Sequence, residues 1–472
     1  MNIALISLYE LGRQPFGLAS PAAWLTRAGA TVTCQDLAIQ KLDPHPIANA
    51  SLVAIYLPMH TATRLAIPLI PRIKTLNPTA HICCYGIYAQ LNQKFLLQQG
   101  VDTILSGEFE EGLVALYTQL QNSQVAPQKI NLERIDAAPS LARQKFLPPD
   151  RSTLPSIEEY AHLVQSHPAG LDNQQAHLVG YTEASRGCKH LCRHCPIVPV
   201  YNGQFRIVQR DVVLADIRNQ VAAGAIHITF GDPDFFNGPG HALPIVQALH
   251  AELPSITYDV TIKVEHLLQH ARHLPTLKET GCLFITTAVE ALDDTVLGHF
   301  AKGHTSADFI HAVHLLNEID LAINPTFVTF HPWTTLSGYA KFLHTIAELK
   351  LIDHVAPIQY AIRLLITAAS KLMELKEIEE LVEEFDEQAL VYPWTHTDPA
   401  VDQLHADILK LVQKCEEREE SRYQIFTKIW AQTQAAQKER ALVAPSVDLS
   451  NSLPPYTPHD PLPPRLSEPW YC

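Results

Sequence analysis

Over the first 120 residues, short apolar runs alternate with longer mixed stretches. Residues 2–8, 31–35, 52–56, 81–85 and 103–105 read as strands, and the segments between them are long enough for crossover helices. That order predicts a small doubly wound sheet. Ligands of such sheets lie outside the carboxyl ends of the strands. The rule selects three loops: Leu57-Pro58-Met59-His60-Thr61, Tyr85-Gly86-Ile87-Tyr88 and Ser106-Gly107-Glu108-Phe109-Glu110.

Residues 121–180 carry Pro, Ser, Gln and Asn without clean periodicity and predict a connector. Alternation resumes over residues 181–370, with strands expected at 181–184, 226–230, 257–263, 283–289, 322–330 and 355–365. Six strands over this length predict a partial (β/α)6 barrel, with chemistry on the loops at the carboxyl ends of its strands. Beyond it, Leu372, Leu375, Ile378, Leu381 and Phe385 recur at helical spacing among Glu374, Glu377, Glu379, Glu380, Glu383 and Glu384. Those carboxylates read as a solvated helix face before a metal site. A second helical stretch is expected at about 402–440, so that 371–442 forms a helical extension. Residues 443–472 are rich in proline and are expected to be extended or disordered.

Composition narrows the function. The chain has 472 residues, 47% hydrophobic and 18% charged, enough for sizeable cores in about three domains. Its net charge of -14 and lack of a basic stripe argue against nucleic-acid binding through phosphate neutralisation. The start has no basic region or cleavage pattern, and no apolar run approaches a membrane span, so a soluble, cytoplasmic protein without a membrane partner is expected. Nine cysteines in so long a chain point to thiols and metal ligation ahead of disulfides. Cys34, Cys83, Cys84 and Cys282 lie in apolar stretches and Cys415 on a helical series, as small core residues do.

The other cysteines carry the chemistry. Cys188-Lys189-His190-Leu191-Cys192-Arg193-His194-Cys195 places three thiols at C-x3-C-x2-C spacing just after the first expected barrel strand. Thiolates are the ligands that iron–sulfur clusters take. Three of them hold three irons of a 4Fe–4S cube and leave the fourth open to a small molecule offering an amine and a carboxylate. The competing reading is a structural zinc site completed by His190 or His194, although no second pair of ligands follows downstream. Other candidates fall at strand ends. Gly231-Asp232-Pro233-Asp234 ends the second barrel strand, where Gly, Asp and Pro also favour a plain turn. Glu265 and Glu290 end the third and fourth, either as acceptors for hydroxyl or ammonium donors or as helix-start carboxylates. His331-Pro332-Trp333-Thr334-Thr335 and Arg363 line a pocket or pack at the barrel mouth.

The cysteine spacing with its Arg186-Gly187 lead-in resembles the radical S-adenosylmethionine (SAM) superfamily, with His194 standing where an aromatic residue is usual. The resemblance is nearest to a bacterial group of cobalamin-domain radical SAM proteins with a short Cys or selenocysteine tail. It lies in Glu183-Ala184-Ser185-Arg186-Gly187-Cys188, Cys195-Pro196-Ile197-Val198-Pro199-Val200-Tyr201, Ile228-Thr229-Phe230-Gly231-Asp232-Pro233-Asp234 and Glu468-Pro469-Trp470-Tyr471-Cys472. Members of that group continue past the first tail cysteine, so a selenocysteine codon read as stop is expected after Cys472.

The resemblance implies a 4Fe–4S cluster on Cys188, Cys192 and Cys195, and SAM held by His194, Gly231, Asp232, Glu265 and Glu290. It also implies cobalamin on Pro58, Met59, His60, Gly86, Ser106, Gly107 and Glu108, with Cys472 as a tail thiol entering the pocket. The Asp-x-His-x-x-Gly signature is absent, so cobalt without a protein imidazole is expected. The implied reaction is reductive cleavage of SAM to a 5'-deoxyadenosyl radical, followed by cobalamin-assisted methyl transfer to an unactivated carbon of a small-molecule substrate. Flavodoxin or ferredoxin would supply the electron. The alternatives are a radical rearrangement or coupling without methyl transfer, and a non-catalytic iron–sulfur redox or sensor protein. For the N-terminal domain they are a vestigial unit that binds nothing and a nucleotide-binding domain, the latter lacking G-x-G-x-x-G.

Overall fold

The computed structural model describes residues 1–122, 139–164, 177–443, 453–457 and 462–467. Strands β1 (Asn2–Ser7), β2 (Thr31–Asp36), β3 (Leu52–Tyr56), β4 (His81–Tyr85) and β5 (Thr103–Leu105) form an all-parallel sheet in the order β2-β1-β3-β4-β5. Successive side chains point to opposite faces, and both faces are apolar. Leu5, Ala54 and Cys83 pack with Leu18 and Leu25 of helix Phe16–Arg27 and with Leu113 and Leu116 of helix Glu110–Asn122. Ile6, Val53, Ile55 and Cys84 face the other way, onto Ile70, Ile73 and Leu96. Burial on both sides explains why the inner strands β1, β3 and β4 read as largely apolar runs, whereas edge strand β2 carries Thr31, Thr33, Gln35 and Asp36.

The second sheet has the order β13-β12-β11-β10-β7-β6-β14. Its parallel strands are β7 (His177–Thr182), β10 (His227–Phe230), β11 (Thr257–Thr261), β12 (Cys282–Glu290) and β13 (Ala322–Phe327). Two short antiparallel strands, β6 (His162–Val164) and β14 (Arg465–Leu466), extend the β7 edge. The terminal strands β13 and β14 line one cavity of about 1230 Å3, so the sheet curls around a lumen and forms a nearly closed barrel. A hairpin of β8 (Ser185–Gly187) and β9 (Phe205–Ile207) stands above β7.

Three expectations change. Residues 355–365 are not a sixth strand: Pro357 starts a 3-10 turn, Pro357–Tyr360, and only Phe330 bonds across, to Ile362 and Leu364. Proline lacks the N–H that a ladder needs. The apolar series from Leu372 to Phe385 is not one helix. It forms two short turns, Lys371–Glu374 and Lys376–Glu379, with Leu372 and Ile378 buried and the glutamates exposed. The stretch expected at 402–440 is a pair of helices, Pro399–Glu416 and Arg422–Val443, which pack Leu404, Ile408, Ile425 and Phe426 onto the barrel core. Cys34, Cys83, Cys84, Cys282 and Cys415 are buried as expected. Among the described residues no helix is long and apolar enough to cross a membrane.

Candidate functional site

Strand β7 delivers the chain to the carboxyl edge of the barrel, and the β8–β9 hairpin clamps both ends of the cysteine loop. The clamp is tight: Gly187 has φ +77°, and a Cβ there would lie 2.4 Å from the Tyr201 ring. Glycine alone meets both demands. The end of β10 fastens the loop from the side. Asp232 accepts from the Ala184 N–H (2.8 Å) and the Ser185 hydroxyl (2.5 Å), and Asn237 Oδ1 accepts from the Lys189 N–H (3.0 Å). Asp232 is therefore a brace of the cysteine loop, and burial pushes its carboxyl up to about 7 against those two hydrogen bonds. Gly231 leaves room for Tyr181, whose hydroxyl would lie 1.9 Å from a Cβ at that position.

The three thiols share one field. Burial pushes Cys195 up to about 12, and Cys192 and Cys188 push in the same direction. Cys188 is pushed up to about 11, again mainly by burial. Metal ligation requires thiolates, so this pocket has to be charged by what binds there. Lys302 supplies the local positive charge: it acts on Cys192 and Cys195, and its Nζ lies 3.2 Å from Glu290 Oε1.

Glu290 ends β12 with φ +72°, after a register shift between Ala288 and Glu290. A left-handed non-glycine residue stores about 1–3 kcal/mol and persists where its surroundings over-determine it. Here the anchors are Lys302 and His194, whose Nε2 donates to Glu290 Oε1 at 3.1 Å. Burial alone would raise this carboxyl, but Lys302 and His194 hold it well below the usual range. The His194 ring also packs on Phe300 at 4.7 Å.

A second network lies on the Cys188 side. Asp234 Oδ2 is 2.6 Å from His266 Nδ1 and 3.2 Å from His190 Nε2. Glu265 lies 3.4 Å from His190 Nδ1 and 3.2 Å from Lys263 Nζ, and sits closer to solvent than Glu290. Ligand atoms of Cys188, His190 and Asp234 fall within 4.8 Å of one another. Beside Lys302, His304 is buried with both ring nitrogens unpartnered, and burial drives it down to about 4. His194 Nδ1 and Thr287 Oγ1 are also buried without partners. The unpartnered ring nitrogen of His194, next to Cys195, is what a site built for a polar guest leaves. The donor set, three soft sulfurs with one ammonium, suits an iron–sulfur cluster.

His266, Lys302 and His304 were not singled out in the sequence, and Asp234 was read only as the last residue of the Gly231–Asp234 strand end. Lys302-Gly303-His304 follows β12 by a turn and a short helix and carries no spacing signal. His331 and Trp333 pack with Phe300, and Arg363 pairs with Asp402 (2.7 Å) over the Trp394 ring, so Arg363 is used within the extension.

The loops of the N-terminal sheet meet this site from above. Helix Val198–Tyr201, just after Cys195, places Val200 and Tyr201 in the core of that sheet. Arg186, two residues before Cys188, is buried among Glu110 (2.7 Å), Glu183 (2.6 Å) and Glu108 (3.4 Å), with the rings of Phe16, Phe109 and Phe146 around it. Glu108 also accepts from the Tyr201 hydroxyl (3.0 Å), and Gly107 lies against the Ser140 backbone. Gly86 (φ +108°) crosses close to the Leu57 carbonyl, and the Ser106 hydroxyl is buried and unpartnered. Pro58 and Met59 lead into His60, whose Nε2 donates to the Ala389 carbonyl at 2.7 Å. Cys472 and the motif that begins at Glu468 lie outside the described residues.

Residues 182–343 match the family model described as the Radical SAM superfamily, so the chain carries a radical SAM domain there. Over 189 residues it is 23% identical to ribosomal protein uS12 methylthiotransferase RimO of Geobacter sulfurreducens. That alignment covers 37% of this chain and 41% of the relative, so the match spans about two fifths of the curated protein's length. Among solved structures, the cobalamin-dependent S-adenosylmethionine radical enzyme OxsB with aqua-cobalamin bound gives a TM-score of 0.71 at 12% identity, covering 95% of this chain and 74% of that one. The radical S-adenosylmethionine methyltransferase TsrM from Kitasatospora setae, with tryptophan substrate and a SAM analog, gives 0.58 at 16% identity, covering 80% and 76%. At these identities the likeness is one of fold.

Proposed function

We propose that this chain is a radical SAM enzyme that transfers a methyl group from cobalamin to an unactivated carbon of a small molecule. In this reading Cys188, Cys192 and Cys195 hold a 4Fe–4S cluster; His194, Gly231, Glu265 and Glu290 serve SAM, and Asp232, expected among them, instead braces the cysteine loop. Pro58, Met59, His60, Gly86, Ser106, Gly107 and Glu108 form the corrinoid edge. When bound, the cluster supplies the electron that cleaves SAM reductively, and the corrinoid supplies a transferable methyl group. The observation that carries the reading is the gathering of three thiols beside an ionised, buried Glu290 at the carboxyl edge of a radical SAM domain.

The residues have separable tasks. Glu290, kept anionic by Lys302 and His194, offers an acceptor for ribose hydroxyl or ammonium donors. Lys302 offsets the negative charge that thiolate ligation brings. Asp232 and Asn237 orient the cysteine loop, and the packed Val198–Tyr201 helix helps to exclude water above it. His60 has already donated its Nε2–H to Ala389, which supports a cobalt without this imidazole as ligand. A reductant such as flavodoxin or ferredoxin is part of the proposal, as is the small-molecule substrate.

Anaerobic reconstitution followed by measurement of 5'-deoxyadenosine tests the enzyme reading, since an electron-transfer or sensor protein releases none. A corrinoid absorbance spectrum after incubation with hydroxocobalamin separates methyl transfer from rearrangement or coupling without cobalamin. One observation favours a second reading: the approach of Cys188, His190 and Asp234 suits a divalent cation such as zinc. Metal analysis of the same preparations decides between them.

A further inference from the structure

The barrel lumen has two chemically different ends. Gly231, Asp232 and Pro233 line it beside the cysteine loop, and Arg422 and Arg465 line it at the floor. The register fixes that placement. Arg465 pairs with Val164, one step beyond the Leu163–His177 pair at the start of β7, whereas the cysteines follow the end of β7. At about 3.3 Å per strand residue, the two ends are on the order of 15–20 Å apart.

Two guanidinium groups converge at the floor, near enough to Asp353 to feel its charge, with Glu416, Glu417, Glu419 and Glu420 along the same wall. Burial, and then Arg465, push Arg422 down to about 10; burial also pushes Arg465 down. Among the described residues neither makes a salt bridge, and Arg422 Nη1 donates to the backbone carbonyl of Asp353 at 2.7 Å. Glu417 and Glu419 are exposed to solvent, and the other nearby carboxylates have partners or are partly buried. Asp353 accepts from the Tyr456 hydroxyl (2.9 Å), Glu420 pairs with Lys428, and burial raises Glu416 against the pull of Arg422. Such a pair is costly as it stands and is relieved by an entering anion, for which the planar donor forks of arginine are suited.

We propose that the substrate is an elongated molecule with an oxyanion at one end, held on the lumen floor by Arg422 and Arg465, and with its reacting carbon directed toward the cysteine end. The oxyanion is a carboxylate or a phosphate ester. The substrate assignment rests on the reading of the cysteine end as the reaction centre, whereas the anion site does not.

The test is calorimetric titration of the full chain with inorganic phosphate and, separately, with glutarate. One saturable site is expected for at least one probe, weakened at least tenfold in Arg422→Gln and in Arg465→Gln. Preference for phosphate identifies a phosphate ester, and preference for glutarate a carboxylate. A measurement that needs no variant accompanies it: the same anion protects Arg422 and Arg465, but not exposed Arg72, from phenylglyoxal in the natural chain. No saturable binding of either probe, full binding in both variants, or absence of protection overturns the site. SAM cleavage measured on the same protein keeps the two readings apart. Cleavage without anion binding removes this inference alone, and anion binding without cleavage removes the substrate assignment while leaving the site.

Discussion

Glu290 concentrates the electrostatics of the site in one side chain. Its carboxylate answers Lys302 and His194 at once, in a backbone conformation that few non-glycine residues adopt. Replacing it by Gln leaves Lys302 buried without its counter-charge, and breaking a buried pair costs about 3–5 kcal/mol. Glu290→Gln is therefore expected to lower the urea midpoint and abolish SAM cleavage, whereas Glu265→Gln, nearer to solvent, changes stability by less than about 1 kcal/mol. Equal losses in both variants would contradict this ranking. Glu108 gives a pH prediction of opposite sign to an ordinary ion-paired acid. Burial raises it to about 7, above the unfolded value of about 4.3, so the folded chain holds the extra proton between those values. Its contribution to stability is fullest below the unfolded pKa and is lost as pH rises through about 7. Urea midpoints from pH 5 to 8 are expected to fall in the natural chain and to flatten in Glu108→Gln. Asp232, also near 7, supplies part of the remaining slope. Parallel profiles would rule the assignment out. The cysteines and Glu290 were legible as residues, because spacing and strand ends mark them. Lys302 and His304 were not, since their role arises only where the loop after β12 folds back beside the cysteines.

Among elements, the β8–β9 hairpin links the two sheets through Arg186. Its partners Glu108 and Glu110 lie 78 and 76 residues away in the chain, so no local pattern announces them. Arg186→Ala leaves three buried carboxylates facing one another. It is expected to destabilise the chain by about 3–5 kcal/mol and to expose the junction between Glu110 and Cys188 to limited proteolysis. Unchanged proteolysis and midpoint would show that the contact couples nothing. Strands β1 to β5 were readable almost to the residue, because burial on both faces writes largely apolar runs in β1, β3 and β4 and because β-branched Thr31, Val32 and Thr33 mark the edge strand β2. The alternation around Ile358, Tyr360 and Ile362 misled, because Pro357 and the side chain of Gln359, which accepts from the Phe327 N–H, turn that stretch into a 3-10 segment.

At the scale of the molecule, the sheet is extended by its most distant piece of chain. Strand β14 covers the open edge of β6 and places Arg465 on the lumen floor, while Tyr456 stacks on Tyr423. Two or three residues are too few for a periodic signal, so this part of the barrel was not readable from the sequence. Deleting residues 453–472 is expected to increase hydrogen exchange at the β6 edge by at least tenfold without unfolding the N-terminal sheet. Unchanged exchange there would mean that the β14 pairing is not stably formed. The lumen, the cysteine edge and the sheet above it form one vertical arrangement, and its meaning depends on what the three thiols bind. The most direct measurement is therefore electron paramagnetic resonance of anaerobically reconstituted protein with and without SAM, together with iron, zinc and 5'-deoxyadenosine analysis. The account predicts about four irons per chain, a 4Fe–4S signal that changes on adding SAM, and 5'-deoxyadenosine release that is lost when Cys188, Cys192 and Cys195 are replaced by Ala. One zinc per chain, no cluster signal and no 5'-deoxyadenosine would contradict it.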